Sequence, residues 1–280
     1  MLKETTLKEL QNFSIDIREQ SIRELAKRGF GHVGGSMSVA DIISVLYGKQ
    51  MHIDPKDPAM PERDMLVCSK GHAGPAIYAA LALKGFFPMD WLDTLNQPGT
   101  NLPSHCDRLK TPGIDMTTGS LGQGISAAAG LALASKLDES SRYIYCIIGD
   151  GESQEGQVWE ALMFAAQQKL DHLIVFLDYN KMQLDGSVSS INDLGDMVRK
   201  FEDFGWFALE IDGHDHAAID AAINAAKASS GRPCAIVANT IKGYGCSFAG
   251  GRINHHITVS QEEAADAIEK LEAARSALNQ

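Results

Sequence analysis

Two kinds of hydrophobic rhythm alternate along this chain. Short apolar runs at residues 65–68, 143–148, 173–177, 206–211 and 234–239 are too short for helices and predict strands. Between them, segments 5–27, 39–47, 74–83, 125–136, 158–168, 194–204 and 216–228 predict helices. In the first of these the apolar stripe is Leu7, Leu10, Ile17, Ile22 and Leu25, near helical spacing. Residues 260–278 predict a last, charged amphipathic helix. Strand and helix in alternation imply an α/β fold: a doubly wound, mostly parallel sheet with helices on both faces. No linker, low-complexity stretch or internal repeat divides the sequence, so residues 1–280 are expected to form a single domain.

The loops carry the candidate chemistry. Gly149-Asp150-Gly151 closes the 143–148 run, and Asp178-Tyr179-Asn180 closes the next. Parallel strands joined by a helix deliver Asp150 and Asn180 to the same sheet edge. That edge is where open α/β sheets bind ligands. A carboxylate and an amide oxygen there, flanked by glycines that admit a diphosphate, are hard-oxygen ligands suited to Mg²⁺. Gly119-Ser120-Leu121-Gly122-Gln123-Gly124 precedes an Ala-rich helix, where backbone N–H groups and the helix dipole favour an anion. It is neither a Walker loop nor a dinucleotide fingerprint. His32, His72 and His105 each lie in a glycine- or proline-rich loop.

Composition narrows the class. A net charge of −11 argues against a nucleic-acid surface. Neither a signal peptide nor a membrane span is visible. The five cysteines include no CxxC pair and are expected to be buried, reduced thiols, as in a cytoplasmic protein.

The Gly-Asp-Gly turn followed by Asn180, with residues 152–179 between, resembles the thiamine diphosphate-binding motif. From about Ser14 to Ile257 the chain resembles the N-terminal, diphosphate-binding half of transketolases. Thr117-Thr-Gly-Ser-Leu-Gly-Gln-Gly124 is similar to the family's TTGPLGQG, with Ser120 in place of proline. Gly31-His-Val-Gly-Gly-Ser-Met-Ser38 resembles GHPGAPMG, Ser69-Lys-Gly-His72 resembles S-x-GH, and Thr240-Ile-Lys-Gly-Tyr-Gly245 resembles TxKGxG. A cofactor-site histidine follows that last motif in the family. His255 and His256 both lie in range, and counting forward favours His256, although Ile257 stands where a glycine is usual.

The resemblance implies thiamine diphosphate and Mg²⁺ as cofactors and transfer of a two-carbon ketol unit from a ketose phosphate to an aldose. It implies Asp150, Asn180 and the Met182 carbonyl on the metal. His72, Gly119, Ser120, Leu121, Gly151, Asn180 and His256 would bind the cofactor. His32, His105 and His256 would face the sugar. Glu155 and Glu160 match acidic residues that face the subunit boundary and link two cofactor sites, whereas Asp212-Gly-His214 reads as a structural turn.

A full transketolase has over twice this length, so the resemblance implies a split enzyme. The partner would be a C-terminal subunit carrying the pyrimidine-binding domain, with two copies of each chain. Three other readings stay open: the α subunit of a 2-oxo acid dehydrogenase, a synthase joining pyruvate to glyceraldehyde phosphate, and a non-catalytic diphosphate-binding regulatory module.

Overall fold

The first amphipathic stripe forms α1 (Glu4–Arg28), which ends where Gly29 turns left-handed (φ 88°) and donates its N–H to Leu25 O. The computed structural model describes residues 2–184, 186–249 and 255–280. The glycine-rich loop after α1 holds a two-residue strand, β1 (Phe30–Gly31), and a single helical turn, α2 (Gly34–Met37). Next, α3 (Ala40–Val45) widens into a π turn over Leu46–Gln50, a departure from the regular helix expected at 39–47.

Strand β2 (Met65–Cys68), α4 (Gly74–Lys84), α5 (Gln123–Leu137), β3 (Ile144–Gly149), α6 (Gly156–Gln167) and β4 (Leu173–Tyr179) follow in the predicted order. The helix expected at 194–204 is shorter, as α8 (Met197–Asp203), and a single unpredicted turn, α7 (Val188–Ile191), precedes it. Gly195 is left-handed there (φ 59°), and the Asp196 side chain caps α8 by accepting from Arg199 N. The chain continues through β5 (Phe207–Asp212), α9 (His216–Ala228), β6 (Cys234–Asn239), β7 (Ile257–Thr258) and α10 (Gln261–Leu278).

The main sheet is five-stranded, parallel throughout, in the order β2-β3-β4-β6-β5. Strands β1 and β7 form a separate antiparallel pair. Side-chain alternation sorts the central strands into two cores. Tyr145, Ile147, Ile174, Phe176 and Ile236 join the cluster that includes residues of α1, α3, α4 and α9. Ile144, Cys146, Ile148, Val175 and Val237 join the one that includes residues of α5, α6 and α8. Full burial of one such side chain is worth about 1.5–3 kcal/mol. A one-residue register slip would exchange the two faces, so the packing fixes the register.

All five cysteines are free and buried. Among the described residues, no helix is long and apolar enough to cross a membrane.

Candidate cofactor site

Parallel register brings the chemistry to one edge. Gly149, the last residue of β3, pairs with Asp178 of β4, and Tyr179 pairs with Asn239 of β6. Asp150, Asn180, Lys70 and Thr240 therefore leave the sheet together. A cavity of about 260 Å³ opens at this edge, lined among others by Asp150, Asn180, Met182, Lys70, Lys242 and His255.

Asp150 is 2% exposed. Its Oδ1 accepts from Gly151 N (2.7 Å) and its Oδ2 from Lys181 N (2.5 Å). Burial, and then the nearby Asp178 carboxylate, push its pKa up to about 7. A carboxyl so placed takes up a proton or a cation readily. Asn180 Oδ1 accepts from Met182 N (3.1 Å), and its amide nitrogen donates to Asp178 Oδ2 (2.9 Å). Lys181 between them is left-handed (φ 64°), which turns the chain back so that both side chains face the cavity.

Asp178 is the organising anion beneath the cavity. It accepts from Lys70 Nζ (2.5 Å), Ser38 Oγ (2.7 Å), Asn180 and the Thr240 hydroxyl. Burial alone would raise its pKa; Lys70 and these donors outweigh that and hold it low. Lys242 lines the cavity and, among the described residues, has one long side-chain hydrogen bond, to Gln183 O (3.4 Å). Burial and then Lys70 lower its pKa, a penalty on the ammonium that an anionic ligand would offset. Sequence reasoning missed both lysines and Asp178, although Lys70 and Lys242 lie inside the Ser69–His72 and Thr240–Gly245 motifs it singled out.

Glu152 was also missed. Its Oε1 accepts from Ser69 Oγ (2.5 Å) and Gly122 N (2.9 Å), and its Oε2 from Gly149 N (3.0 Å), clasping three loops. The Gly122 N–H expected to be free for an anion is therefore taken. Of Gly119, Ser120 and Leu121, only Leu121 lines the cavity. Gly119 lets His105 approach, since a Cβ there would lie 3.2 Å from His105 Cδ2. Ser120 is exposed, its hydroxyl meeting Gln123 Nε2 at 3.2 Å. Gly151 also has no room for a side chain, because a Cβ would lie 2.9 Å from that of Gln183.

The histidines gather in one cluster. His32 lies with ring centroids 5.5 Å from His72, 5.3 Å from His105, 5.0 Å from His255 and 4.8 Å from His256. His255 lies 4.6 Å from His72 and lines the cavity. His256, expected on the cofactor, instead lines a smaller recess with His32 and Ser104 and packs on Phe30 (5.3 Å). The difference is one of facing: successive side chains diverge, and only His255 turns inward. Burial first, then the neighbouring imidazoles, push His32 down to about 3; burial, then Lys242 and Lys70, push His255 down to about 4. His72 and His105 are lowered too, chiefly by burial. Neutral imidazoles both donate and accept, as proton movement on sugar hydroxyls requires.

Glu155 and Glu160 are both exposed; Glu155 borders the cavity and Glu160 lies outward on α6. Among the described residues, no group of three or more His, Cys, Asp or Glu side chains could hold a metal ion. A site built on one carboxylate, an amide and a carbonyl oxygen is of another kind. Lys242 at the cavity wall, a buried carboxyl at Asp150 and the Gly151 backbone beside it fit a metal–diphosphate group.

Fold and site define an α/β domain with a polar cavity at the carboxyl edge of a doubly wound parallel sheet. Residues 11–275 match the family described as transketolase, thiamine diphosphate binding domain. The 6-deoxy-6-sulfo-D-fructose transketolase subunit SqwG of Clostridium sp. (strain MSTE9) is 54% identical over 265 residues, 94% of this chain and 96% of that one. One of the apulose-4-phosphate transketolase subunits of Actinobacillus succinogenes is 41% identical, over 86% of this chain and 87% of its own. The transketolase from Leishmania mexicana superposes with a TM-score of 0.87 at 30% identity, covering 96% of this chain but 46% of that one. The chain thus spans under half of that solved transketolase and nearly the whole of the two named subunits. The chain belongs to the transketolase family, as an N-terminal, thiamine diphosphate-binding subunit.

Proposed function

We propose that this chain forms, with a second polypeptide, a transketolase that moves a two-carbon ketol unit from an anionic ketose to an aldose. The observation that carries this reading is the convergence of Asp150, Asn180 and Lys242 on one cavity beside the histidine cluster. Asp150, Asn180 and the Met182 carbonyl would hold Mg²⁺; Lys242, His72, His255 and the Gly151 backbone would meet the diphosphate. Thiamine diphosphate, when bound, supplies the carbon centre that accepts the ketol unit. The chain's own residues orient it and move protons: His32, His105 and His256 face the sugar side and exchange protons with its hydroxyls. The 54% identity to a sulfofructose transketolase subunit makes 6-deoxy-6-sulfo-D-fructose the donor to assay first, beside ketose phosphates.

The partner would carry the pyrimidine-binding domain and dock beside the cavity. Leu121, Met163 and Phe164 are large apolar side chains left exposed at 37%, 55% and 42%; Met163 and Phe164 share α6 with Glu160, and Leu121 lines the cavity with Glu155. Two copies of each chain complete the assembly, because paired cofactor sites between subunits favour closed two-fold symmetry. The free thiols accord with a cytoplasmic setting. Family membership separates the chain from 2-oxo acid dehydrogenase α subunits, and a pyruvate-plus-aldehyde assay separates it from the condensing synthases.

Mixing the purified chain with a pyrimidine-domain chain is expected to give ketol transfer and a particle with the mass of two pairs. Full activity from this chain alone would overturn the split-enzyme reading. Wild-type Mg²⁺-dependent cofactor affinity in Asp150→Ala or Asn180→Ala would overturn the metal assignment.

A further inference from the structure

The turn Asp212-Gly213-His214 lies outside the cavity, yet it holds the loop that carries Lys242. His214 Nδ1 lies 2.8 Å from Asp41 Oδ2, and its Nε2 accepts the Ile241 N–H at 2.9 Å. These partners admit one state: a neutral ring with the proton on Nδ1, since Nε2 must be bare to accept an N–H. Asp41, in α3 and 2% exposed, is fixed by Arg18 of α1 through two hydrogen bonds of 2.9 and 2.6 Å. Arg18 Nε donates in turn to Tyr244 O (3.1 Å), and the Tyr244 ring stacks on His214 at 3.6 Å and 16°. Thr240, the residue before Ile241, is tied inward to Asp178. Lys242 lies between the anchored Ile241 and Tyr244, and among the described residues its side chain has one long hydrogen bond.

We propose that His214 is a positioning residue: held by Asp41 in its Nδ1-protonated form, it fixes the Ile241 amide and so aims Lys242 at the anionic end of the bound cofactor. The inference rests on the cofactor reading above. It assigns a task to a residue that, like its neighbours Asp41, Arg18 and His216, does not line the cavity.

The test uses His214→Phe, which keeps a ring on Tyr244 and removes both hydrogen bonds, and His214→Gln as a milder variant should the first fold poorly. In the complex with the partner chain, amide exchange over residues 240–245 is expected to speed up in either variant; unchanged exchange would overturn the proposal. Affinity for thiamine diphosphate with Mg²⁺ is then compared in a cycle with Lys242→Met. Each single variant is expected to weaken binding by about tenfold, the scale of one charged hydrogen bond, and the double variant by no more than Lys242→Met alone. Multiplicative losses would show that His214 acts on something other than Lys242 and would overturn the proposal. A wild-type complex that bound no cofactor would instead overturn the functional reading and with it the role of Lys242, and exchange would still decide whether His214 holds the loop.

Discussion

Lys70 Nζ lies 2.5 Å from Asp178 Oδ2 under the cofactor cavity, with the two side chains 1% and 0% exposed. They come from different strand ends, so this buried pair joins β2 to β4 as it sets the cavity floor. Lys70→Met would leave the Asp178 carboxylate buried without its cation. Breaking a buried pair in this way costs about 3–5 kcal/mol. Urea denaturation of the chain is expected to show a loss of that size; a loss under about 1 kcal/mol, the range of exposed pairs, would mean that the carboxylate finds another cation.

Asp150 predicts a pH dependence. Its folded pKa, raised to about 7 by burial and Asp178, lies above the unfolded value of about 3.9. Between those values the folded, cofactor-free chain holds more protons than the unfolded one. Stability from this group is thus fully present below the unfolded pKa and lost as pH rises through about 7. In the proposed site Mg²⁺ would displace the proton, so metal affinity is expected to climb as pH rises toward 7 and flatten above it. Calorimetry in buffers of different ionisation heat reads the released proton directly. The same slope in Asp150→Asn would assign the proton to another group.

How much of this was legible in the sequence depends on the range of the interaction. Helix α9 and strand β6 match their predicted limits, because a 3.6-residue or two-residue rhythm is local. Asp150 and Asn180 line the cavity at the sheet edge where they were expected, because strand ends are local signals too. Lys70, Asp178 and Glu152 were not: their partners are contributed by other loops, as in the Glu152–Ser69 and Lys70–Asp178 bonds, and no short spacing encodes them. The Gly122 amide was misread for the same reason, since only the folded chain brings Glu152 to it. The turn at Asp212–His214 was read as structural, and its link to the Lys242 loop appears only with Asp41 and Ile241 in place.

Lys181 holds a left-handed backbone conformation in the middle of the loop proposed to hold the metal, at φ 64°. For a residue with a Cβ this costs about 1 kcal/mol or more. Glycine removes that strain but gains freedom in the unfolded chain, worth about 0.5–1 kcal/mol the other way. Lys181→Gly is therefore expected to change stability little and to keep Mg²⁺ binding. Lys181→Val, β-branched, should lose more than about 1 kcal/mol and weaken metal binding, because the Lys181 N–H then leaves Asp150 Oδ2. Equal metal affinity in both variants would show that the turn is not what sets the site.

The adjacent histidines offer the sharpest separation of roles. His255 lines the cavity beside His72 and Lys242, whereas His256 lines the recess beside His32 and Ser104. The two rings lie 5.0 and 4.8 Å from His32, so each is close to it while lining a different cavity. His255→Ala removes a hydrogen-bonding group from the diphosphate side and is expected to raise the cofactor Kd by about tenfold, the cost of one charge-assisted bond. At saturating cofactor its sugar KM should stay near wild type. His256→Ala should leave the cofactor Kd nearly unchanged and lower kcat/KM for the ketose donor by about a hundredfold, within the range for loss of a proton-transfer group. Titrating cofactor first and then assaying donor turnover at saturation separates the two effects. The reverse pattern would place His256 on the cofactor, as counting along the sequence favours, and would mean that ligand binding turns this segment over.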